Sequence, residues 1–261
     1  MSRTAQGTFS PRPGSAPLLR QIAAQSAMEA KLMLRNGEQL LLAVVIPVLV
    51  LVGGVEAAKH IDFGFDGRPV DTLTPGVLAL AVMSTAFTSL AIATGFERRY
   101  GVIKRLGASP LPRGGLLAGK IGALFMVELL QFAVLCAVAF ALGWEPAGGI
   151  QTVFLGLEAL LLGTAAFASL GLLVAGVLRA EATLAAANLI YLLLMAGGAV
   201  VVPATAYGGA EDVLKWLPSG ALGEAMRGAL IHADCYGREQ IILLAWAVLG
   251  TVLTARTFRW E

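Results

Sequence analysis

The chain has 261 residues, of which 57% are hydrophobic and only 14% are charged. Its mean hydropathy of +0.77 lies above the range of soluble globular proteins and is typical of an integral membrane protein. The net charge of +2 excludes the strongly basic surface on which nucleic-acid binding depends. The positions of the 19 Lys and Arg residues therefore carry more information than their sum.

Residues 1–17 are polar and rich in Pro and Gly, and they lack the apolar core of a cleaved signal peptide. We expect this start of the chain to be disordered. In the next segment, 18–35, apolar residues fall on one helical face, with Arg20, Lys31 and Arg35 off it. This pattern predicts an amphipathic helix along the inner membrane surface or, alternatively, an ordinary helix packed on a partner.

Six apolar stretches are long enough to cross a bilayer, which requires about 20 helical residues. They lie at 39–57, 76–96, 119–142, 155–178, 184–204 and 239–257. Internal Pro and Gly residues are compatible with these spans, because neighbouring helices satisfy the freed backbone groups. The sequence therefore predicts an all-α integral membrane protein in which residues 18–261 form a single domain of six transmembrane helices.

Segment 205–238 is too polar to span a membrane, yet it contains a helical pattern. Apolar residues recur at helical spacing just after Pro218, at Leu222, Ala225, Met226, Ala229 and Leu230. Ser219 is a suitable N-cap for such a helix. We expect a short outer helix before the sixth span, which rests on the outer membrane face or dips into it.

The distribution of Lys and Arg predicts the orientation in the membrane. With both termini in the cytoplasm, the inner segments hold 14 of these residues and the outer segments hold five. The outer five are Lys59, Arg68, Lys215, Arg227 and Arg238. Because positive charge is enriched in short cytoplasmic loops, we expect cytoplasmic N- and C-termini. The outer loops then lie near 60–74, 143–150 and 205–238.

Nucleotide and metal chemistry are not expected on this chain. GGLLAGK, which ends at Lys120, fits the pattern of phosphate-binding loops, but Ile121 stands where Ser or Thr should hold Mg²⁺. No strand precedes it, so we interpret Lys120 as an interfacial anchor whose ammonium snorkels to the membrane surface. His60 and His232 lie in different outer loops without neighbouring Cys residues. Neither a metal site nor a catalytic site is therefore predicted.

Glu128 lies deep within the third predicted span, about nine residues from its start. A carboxylate at that depth costs about 2.5–3.5 kcal/mol unless it is protonated or partnered. Gln131 follows on the same helical face and is placed to hydrogen-bond it. Two interpretations stay open: the pair lines a translocation path, or Glu128 is a protonated, hydrogen-bonded group at a helix interface. Hydroxyl residues of the second span, such as Thr85, are interpreted as small packing residues.

The loop between the second and third predicted spans reads ERRYGVIKRLGASPL from Glu97 onward. On a helix that starts near Phe96, an apolar stripe of Phe96, Tyr100 and Ile103 shares one face. Arg98 and Arg105 lie on the opposite face, and the following Gly and Pro residues end the helix. The positive-inside rule explains the charges but not the stripe or the sharp stop. We therefore predict a cytoplasmic helix at 97–107 that docks on a soluble partner.

This loop resembles the signature loop of type-2 ABC transporter permeases, a family of drug, polysaccharide and lipid exporters that includes daunorubicin-resistance permeases. The residues that match the family pattern are Glu97, Arg98, Gly101, Lys104, Arg105, Leu106, Ser109 and Pro110. The resemblance implies that the loop forms a coupling helix that fits a groove in an ATPase subunit. The implied partner-binding residues are Glu97, Arg98, Arg99, Tyr100, Gly101, Lys104, Arg105 and Leu106.

The resemblance covers nearly the whole chain and implies the permease subunit of a bacterial plasma-membrane exporter, with no enzyme activity and no cofactor of its own. A cytoplasmic ABC ATPase subunit would bind ATP and Mg²⁺, and a second permease copy or paralogue would complete the transporter. Sparse charges in the spans and short outer loops favour an apolar or amphiphilic cargo, such as a drug or a lipid-like compound. The alternatives are a proton-coupled secondary transporter with Glu128 as its carrier, and a membrane-embedded enzyme or assembly factor.

Overall fold

The computed structural model describes residues 16–37, 41–61, 65, 67–106 and 111–257. Within these ranges the chain forms helices and turns and no β-strand, which confirms the all-α class. Residues 1–15 of the predicted disordered start lie outside the described part. The principal helices are α1 Leu18–Arg35, α2 Ile46–Ala57, α3 Pro69–Arg99, α4 Val102–Leu106, α5 Arg113–Ala141, α6 Ile150–Val177, α7 Ala180–Gly197, α8 Pro218–Arg227 and α9 Gly237–Thr257. Short helical turns cover Ala204–Ala210, Glu211–Leu214 and Gly228–His232.

Five helices in the described part are long and apolar enough to cross a membrane, namely α3, α5, α6, α7 and α9. The first predicted span, 39–57, corresponds to a shorter apolar helix, Ala43–Ala57, whose first residues belong to the π-helical turn Leu41–Val45. Residues 39 and 40 lie outside the described part. The prediction of an all-α membrane protein is confirmed, and the first of its six predicted spans is shorter than the others.

Helix α3 forms the centre of the bundle. In the most apolar stretch of α3, 94% is buried inside the protein, whereas only 17% of the corresponding stretch of α9 is buried. Residues Ser84–Ser89 form a π-helical turn within α3, and α6 packs directly against it. A Cβ atom at Gly171 of α6 would lie only 2.8 Å from the Phe87 carbonyl oxygen. Small residues at such positions let two helix backbones approach closely in a membrane protein.

Helix α1 packs lengthwise on the first half of α5. Its buried residues are Ser26 and Ala30. A Cβ atom at Gly119 of α5 would lie 2.9 Å from Gln25 Cβ, so a glycine at this position lets the two helices approach closely. The predicted amphipathic helix therefore exists, and the helix on which it packs belongs to the same chain. Its outward face keeps apolar residues such as Leu19, which is 79% exposed and accessible to lipid.

The fifth predicted span ends earlier than its apolar composition indicates. Helix α7 stops at Gly197, so the predicted end at residue 204 is wrong. The following residues, 198–203, form no helix, and Ala199 adopts a left-handed φ of 53°. Although irregular, Ala199 and Val200 are fully buried. Two successive glycines at the end of an apolar helix favour such a break, because glycine weakens the helix interior.

Helix α8 lies inside the bundle instead of resting on its outer face. All its residues except Glu224 are buried, and it packs on α3, α6 and α9. Of the two alternatives for this helix, the structure therefore shows that it dips inward. The sequence predicted Ser219 as the N-cap of this helix, and that prediction is wrong. The Ser219 hydroxyl instead donates a 2.7 Å hydrogen bond to the Gly198 carbonyl.

Candidate coupling surface and interior polar groups

The predicted coupling loop contains two helices instead of one. Helix α3 continues through Phe96 to Arg99, the chain turns at Tyr100 and Gly101, and α4 begins at Val102. Gly101 has a φ of +67°, a left-handed conformation that glycine adopts without steric cost. The prediction of a single helix over 97–107 that starts near Phe96 is therefore wrong. The matching residues Ser109 and Pro110, and Gly107 at the end of the predicted helix, lie outside the described part.

The predicted apolar stripe is divided between the core and the surface. Phe96 is partly buried against the hydrophobic core, whereas Tyr100 is 62% exposed. Their rings stack with centroids 6.1 Å apart, so the tyrosine ring rests on the end of α3. The side chain of Ile103 lies outside the described part. Phe96 thus anchors the end of α3, while Tyr100 presents an aromatic surface beside α4.

Arg98 and Arg99 bind other helices of the same chain. Arg98 Nη1 donates hydrogen bonds to the carbonyl oxygens of Ala175 and, at 3.5 Å, Leu178, which lie at the end of α6. A cation at a helix C-terminus is favourable because the unsatisfied carbonyls carry partial negative charge. Arg99 forms an ion pair with Glu181 in the first turn of α7. The predicted contact of Arg98 with a partner protein stays a prediction, and its guanidinium binds the end of α6 within the chain.

Lys104 and Arg105 remain on the surface of α4, where both are exposed. Within the described residues, neither side chain forms an ion pair. Leu106, the last residue of α4, is partly buried. Tyr100, Lys104 and Arg105 define the coupling surface. They are the exposed residues of the predicted partner-binding set apart from Arg99, which is exposed but paired with Glu181.

An ion-pair triad lies directly behind the coupling surface. Lys120 Nζ is 2.7 Å from Glu97 Oε1 and 3.0 Å from Glu29 Oε2. The side chain of Lys120 is only 13% exposed, and Gln25 donates a further 2.8 Å hydrogen bond to Glu29. The interpretation of Lys120 as a snorkelling anchor is wrong, because its ammonium is held between two carboxylates. The triad joins α1, the end of α3 and the start of α5.

Sequence reasoning missed Glu29 as a member of this triad. The signal lay in helical spacing, since Glu29 follows Gln25 by four residues and Ser26 by three, and Ser26 is on the buried face. A carboxylate beside the buried face of an amphipathic helix needs a cationic partner. That partner is 91 residues further along the chain and could not be identified from local periodicity.

Glu128 and Gln131 are both fully buried inside the protein. Thr164 of α6 donates a 2.8 Å hydrogen bond to Glu128 Oε2. Gln131 accepts a 2.9 Å hydrogen bond from Thr85 and donates to the Ala43 carbonyl. The two side chains thus bind different helices. Gln131 hydrogen-bonds Thr85 and Ala43 instead of Glu128, the partner expected from their spacing. Thr85, interpreted from the sequence as a packing residue, is a hydrogen-bond donor in this network.

Arg227 is a second buried cation, at the end of the bundle where α6 and α9 begin. It is 4% exposed, and its guanidinium donates to the carbonyl oxygens of Ala199, Val200 and Val201 over 3.1–3.4 Å. Glu224 Oε1 lies 3.0 Å from Nη2 and balances the charge. Buried irregular backbone requires such donors, because its carbonyl groups have neither a helix partner nor water. Arg227, counted from the sequence among the charges of the outer segment 205–238, is thus a buried residue that holds the break after α7.

The arrangement defines a class of protein: a polytopic helical membrane protein with an exposed, cationic helix on the loop between two spans. A family model described as "ABC-2 family transporter protein" matches residues 63–256. A search of curated proteins found no match. The chain belongs to the ABC-2 transporter family, and the resemblance noted from the loop is confirmed. Among the described residues, no three His, Cys, Asp or Glu side chains cluster as metal ligands would.

Proposed function

We propose that this chain is the permease subunit of an exporter driven by a separate cytoplasmic ABC ATPase, which binds ATP and Mg²⁺. Family membership supports a membrane transport subunit. The observation that carries the proposal further is the coupling surface, where Lys104 and Arg105 are exposed beside Tyr100. Arginine pairs bidentately with carboxylates, and aromatic residues are enriched in protein interfaces. An acidic groove on the ATPase is the partner that fits this surface.

The residues behind the coupling surface provide a route for movement. Glu97 is tied to α1 and α5 through Lys120, while Arg98 is tied to α6 and Arg99 to α7. A force applied to α4 by the ATPase would therefore reach four other helices through the end of α3. We propose that Glu97, Arg98 and Arg99 act in coupling through these internal contacts and not as direct ligands of the partner.

We further propose cytoplasmic termini in a bacterial plasma membrane and pairing with a second permease copy or paralogue. The excess of Lys and Arg at the end of the bundle that carries α4 supports this orientation. The apolar stretch of α7 is only 22% buried within one chain, which leaves a face for lipid or for a second copy. Two such subunits with two ATPases would enclose the transport path.

The proposed cargo is an apolar or amphiphilic compound. Few charged side chains lie within the spanning helices, and a strongly ionic cargo would need matching partners there. Glu128 and Gln131 stay candidates for the path, although their burial against Thr164 and Thr85 favours a packing role. The same contacts disfavour the alternative of a proton-coupled transporter, which needs Glu128 to exchange protons with water.

The test is uptake of daunorubicin into inside-out vesicles that contain this chain and its ATPase. We expect uptake to require ATP and to persist when an uncoupler collapses the proton gradient. An ATPase variant that lacks its phosphate-binding Lys should abolish it. Uptake that survives in this variant but stops with the uncoupler would contradict the proposal and support the proton-coupled alternative.

A further inference from the structure

An apolar groove runs along α9 at the end of the bundle where this helix begins. It has a volume of about 160 Å³ and is lined by Trp216, Ile241, Ile242, Ala245, Trp246 and Leu249. Trp216 is 61% exposed and Ile241 is 69% exposed, so the groove opens away from the protein. Trp246 Nε1 donates a 2.9 Å hydrogen bond to the Trp216 carbonyl, which holds the Trp246 ring against the preceding segment.

A cation, Arg238, lies at the end of this groove nearest to the start of α9. Arg238 is exposed, and its guanidinium carbon lies 5.2 Å from the centroid of the Trp216 ring, in a cation–π contact. Within the described residues it forms no ion pair with a carboxylate, whereas the nearby cation Lys215 is bound by Glu211. Arg238 is therefore held in place by the indole with its charge available to an external anion.

The cation and the groove lie on one stripe of α9. Arg238, Ile242, Ala245 and Leu249 follow one another at intervals of four, three and four residues, which keeps them on one helical face. The stripe covers 12 residues from Arg238 to Leu249, and its ends are about 16 Å apart at the helical rise. That length is about half of the roughly 30 Å hydrocarbon core of a bilayer. The stripe thus presents a charged head and an apolar tail over the depth of one leaflet.

We propose that this groove binds a phospholipid of the surrounding membrane, with its phosphate on Arg238 and part of one acyl chain between Trp216 and Trp246. A guanidinium binds phosphate oxygens bidentately, and tryptophans concentrate where the apolar core meets the head groups. An apolar cavity of about 150 Å³ accepts a molecule as large as benzene, so this groove holds several carbons of a chain. The proposal requires only that α9 faces lipid, and its failure would leave the exporter proposal intact.

The charge on Arg238 distinguishes a phospholipid from other occupants. A helix of a second copy could cover the apolar stripe, but it would have to bring its own anion to Arg238. A neutral lipid could fill the groove but would leave the guanidinium unmatched. Binding that depends on both the phosphate and the acyl chain is therefore the property to measure.

The test is quenching of tryptophan fluorescence in the full-length protein, in detergent micelles, by phosphatidylcholine with brominated acyl chains. We expect saturable quenching by this phospholipid and only weak, non-saturable quenching by a diacylglycerol with the same brominated chains. Arg238→Gln should raise the half-saturating lipid fraction about tenfold, the lower end of the effect of a hydrogen bond to a charged group. Arg256→Gln, at the other end of α9, is the matched control and should leave it unchanged.

A second variant tests the groove without touching the cation. Ala245 is exposed on the lipid side, so Ala245→Phe should fill the groove without disturbing the core and should remove the saturable phase. Equal quenching by the phospholipid and the diacylglycerol would overturn the proposal. The same half-saturating lipid fraction for the parent and for Arg238→Gln would overturn it as well. Quenching that depends on protein concentration and not on the lipid fraction would also overturn it and would assign the groove to a second copy.

Discussion

Replacing Lys120 by Met tests the triad behind the coupling surface most sharply. The substitution keeps the length of the side chain but removes the ammonium that lies 2.7 Å from Glu97 and 3.0 Å from Glu29. Two carboxylates, 20% and 12% exposed, are then left facing each other without a cation. The expected result is a loss of stability at the junction of α1, α3 and α5.

The magnitude follows from the burial of the three side chains. Removing one partner of a buried ion pair costs about 3–5 kcal/mol, whereas an exposed pair contributes about 0–1 kcal/mol. Because all three side chains of the triad are only slightly exposed, we expect about 3 kcal/mol for Lys120→Met. At roughly 2–4 °C per kcal/mol for a chain of this size, the midpoint of thermal unfolding should fall by about 6–12 °C.

The assay is thermal unfolding of the purified protein in detergent, followed by circular dichroism. Lys31→Met is the matched control, because Lys31 is exposed on α1 and forms no ion pair within the described residues. The double variant Lys120→Met with Glu97→Gln should recover part of the loss, since it removes one of the two unmatched charges. An unfolding midpoint for Lys120→Met that matches the Lys31→Met control would refute the reasoning.

Three further predictions concern the interior and the orientation. Glu128→Gln should fold and transport normally if Glu128 only packs against Thr164, since the amide still accepts the hydrogen bond; normal membrane levels with lost transport would assign Glu128 to the path. Arg227→Met should sharply reduce the amount of folded protein, because three buried carbonyl oxygens lose their donor. Cysteine at Asp212 should be labelled from outside intact cells; labelling only after permeabilisation would reverse the proposed orientation.

The sequence was most informative where a structural rule is local. The apolar runs predicted the spanning helices, because bilayer thickness fixes their length. The periodicity of 18–35 predicted α1, and the pattern after Pro218 predicted α8. The loop sequence between the second and third spans was specific enough to indicate the family that the match over residues 63–256 confirms.

Local rules failed where the partner of a side chain lies far along the chain. Arg98 was read as a surface charge because the carbonyls that it binds lie 77 and 80 residues away. The contacts of Arg227 could not be predicted, because nothing in its neighbourhood along the sequence indicates the buried backbone break at Ala199. The turn at Gly101 had a local signal, since glycine readily adopts positive φ, but the apolar stripe appeared to continue through it.

These corrections change what is expected of the arginines near the coupling surface. Because Arg98 binds the end of α6, Arg98→Glu should lower the amount of folded protein instead of weakening partner binding specifically. Arg105 lies exposed on α4 and has no such side-chain contact with the described residues. The two substitutions therefore separate a structural arginine from one that is available to the ATPase.

Co-purification of the ATPase with Arg105→Glu is the most direct test of the proposed coupling surface. Reversing the charge of an interface residue that pairs with a carboxylate should cost about 2–5 kcal/mol of binding free energy. The loss of an exposed pair should cost only about 0.2–1 kcal/mol. The account predicts that the Arg105→Glu permease inserts and unfolds like the parent but co-purifies with little of the ATPase subunit. Arg256 is exposed at the same end of the bundle, and the control variant Arg256→Glu should co-purify with the ATPase subunit as fully as the parent does. Full retention of the ATPase by Arg105→Glu and by the double variant with Lys104→Glu would contradict the account.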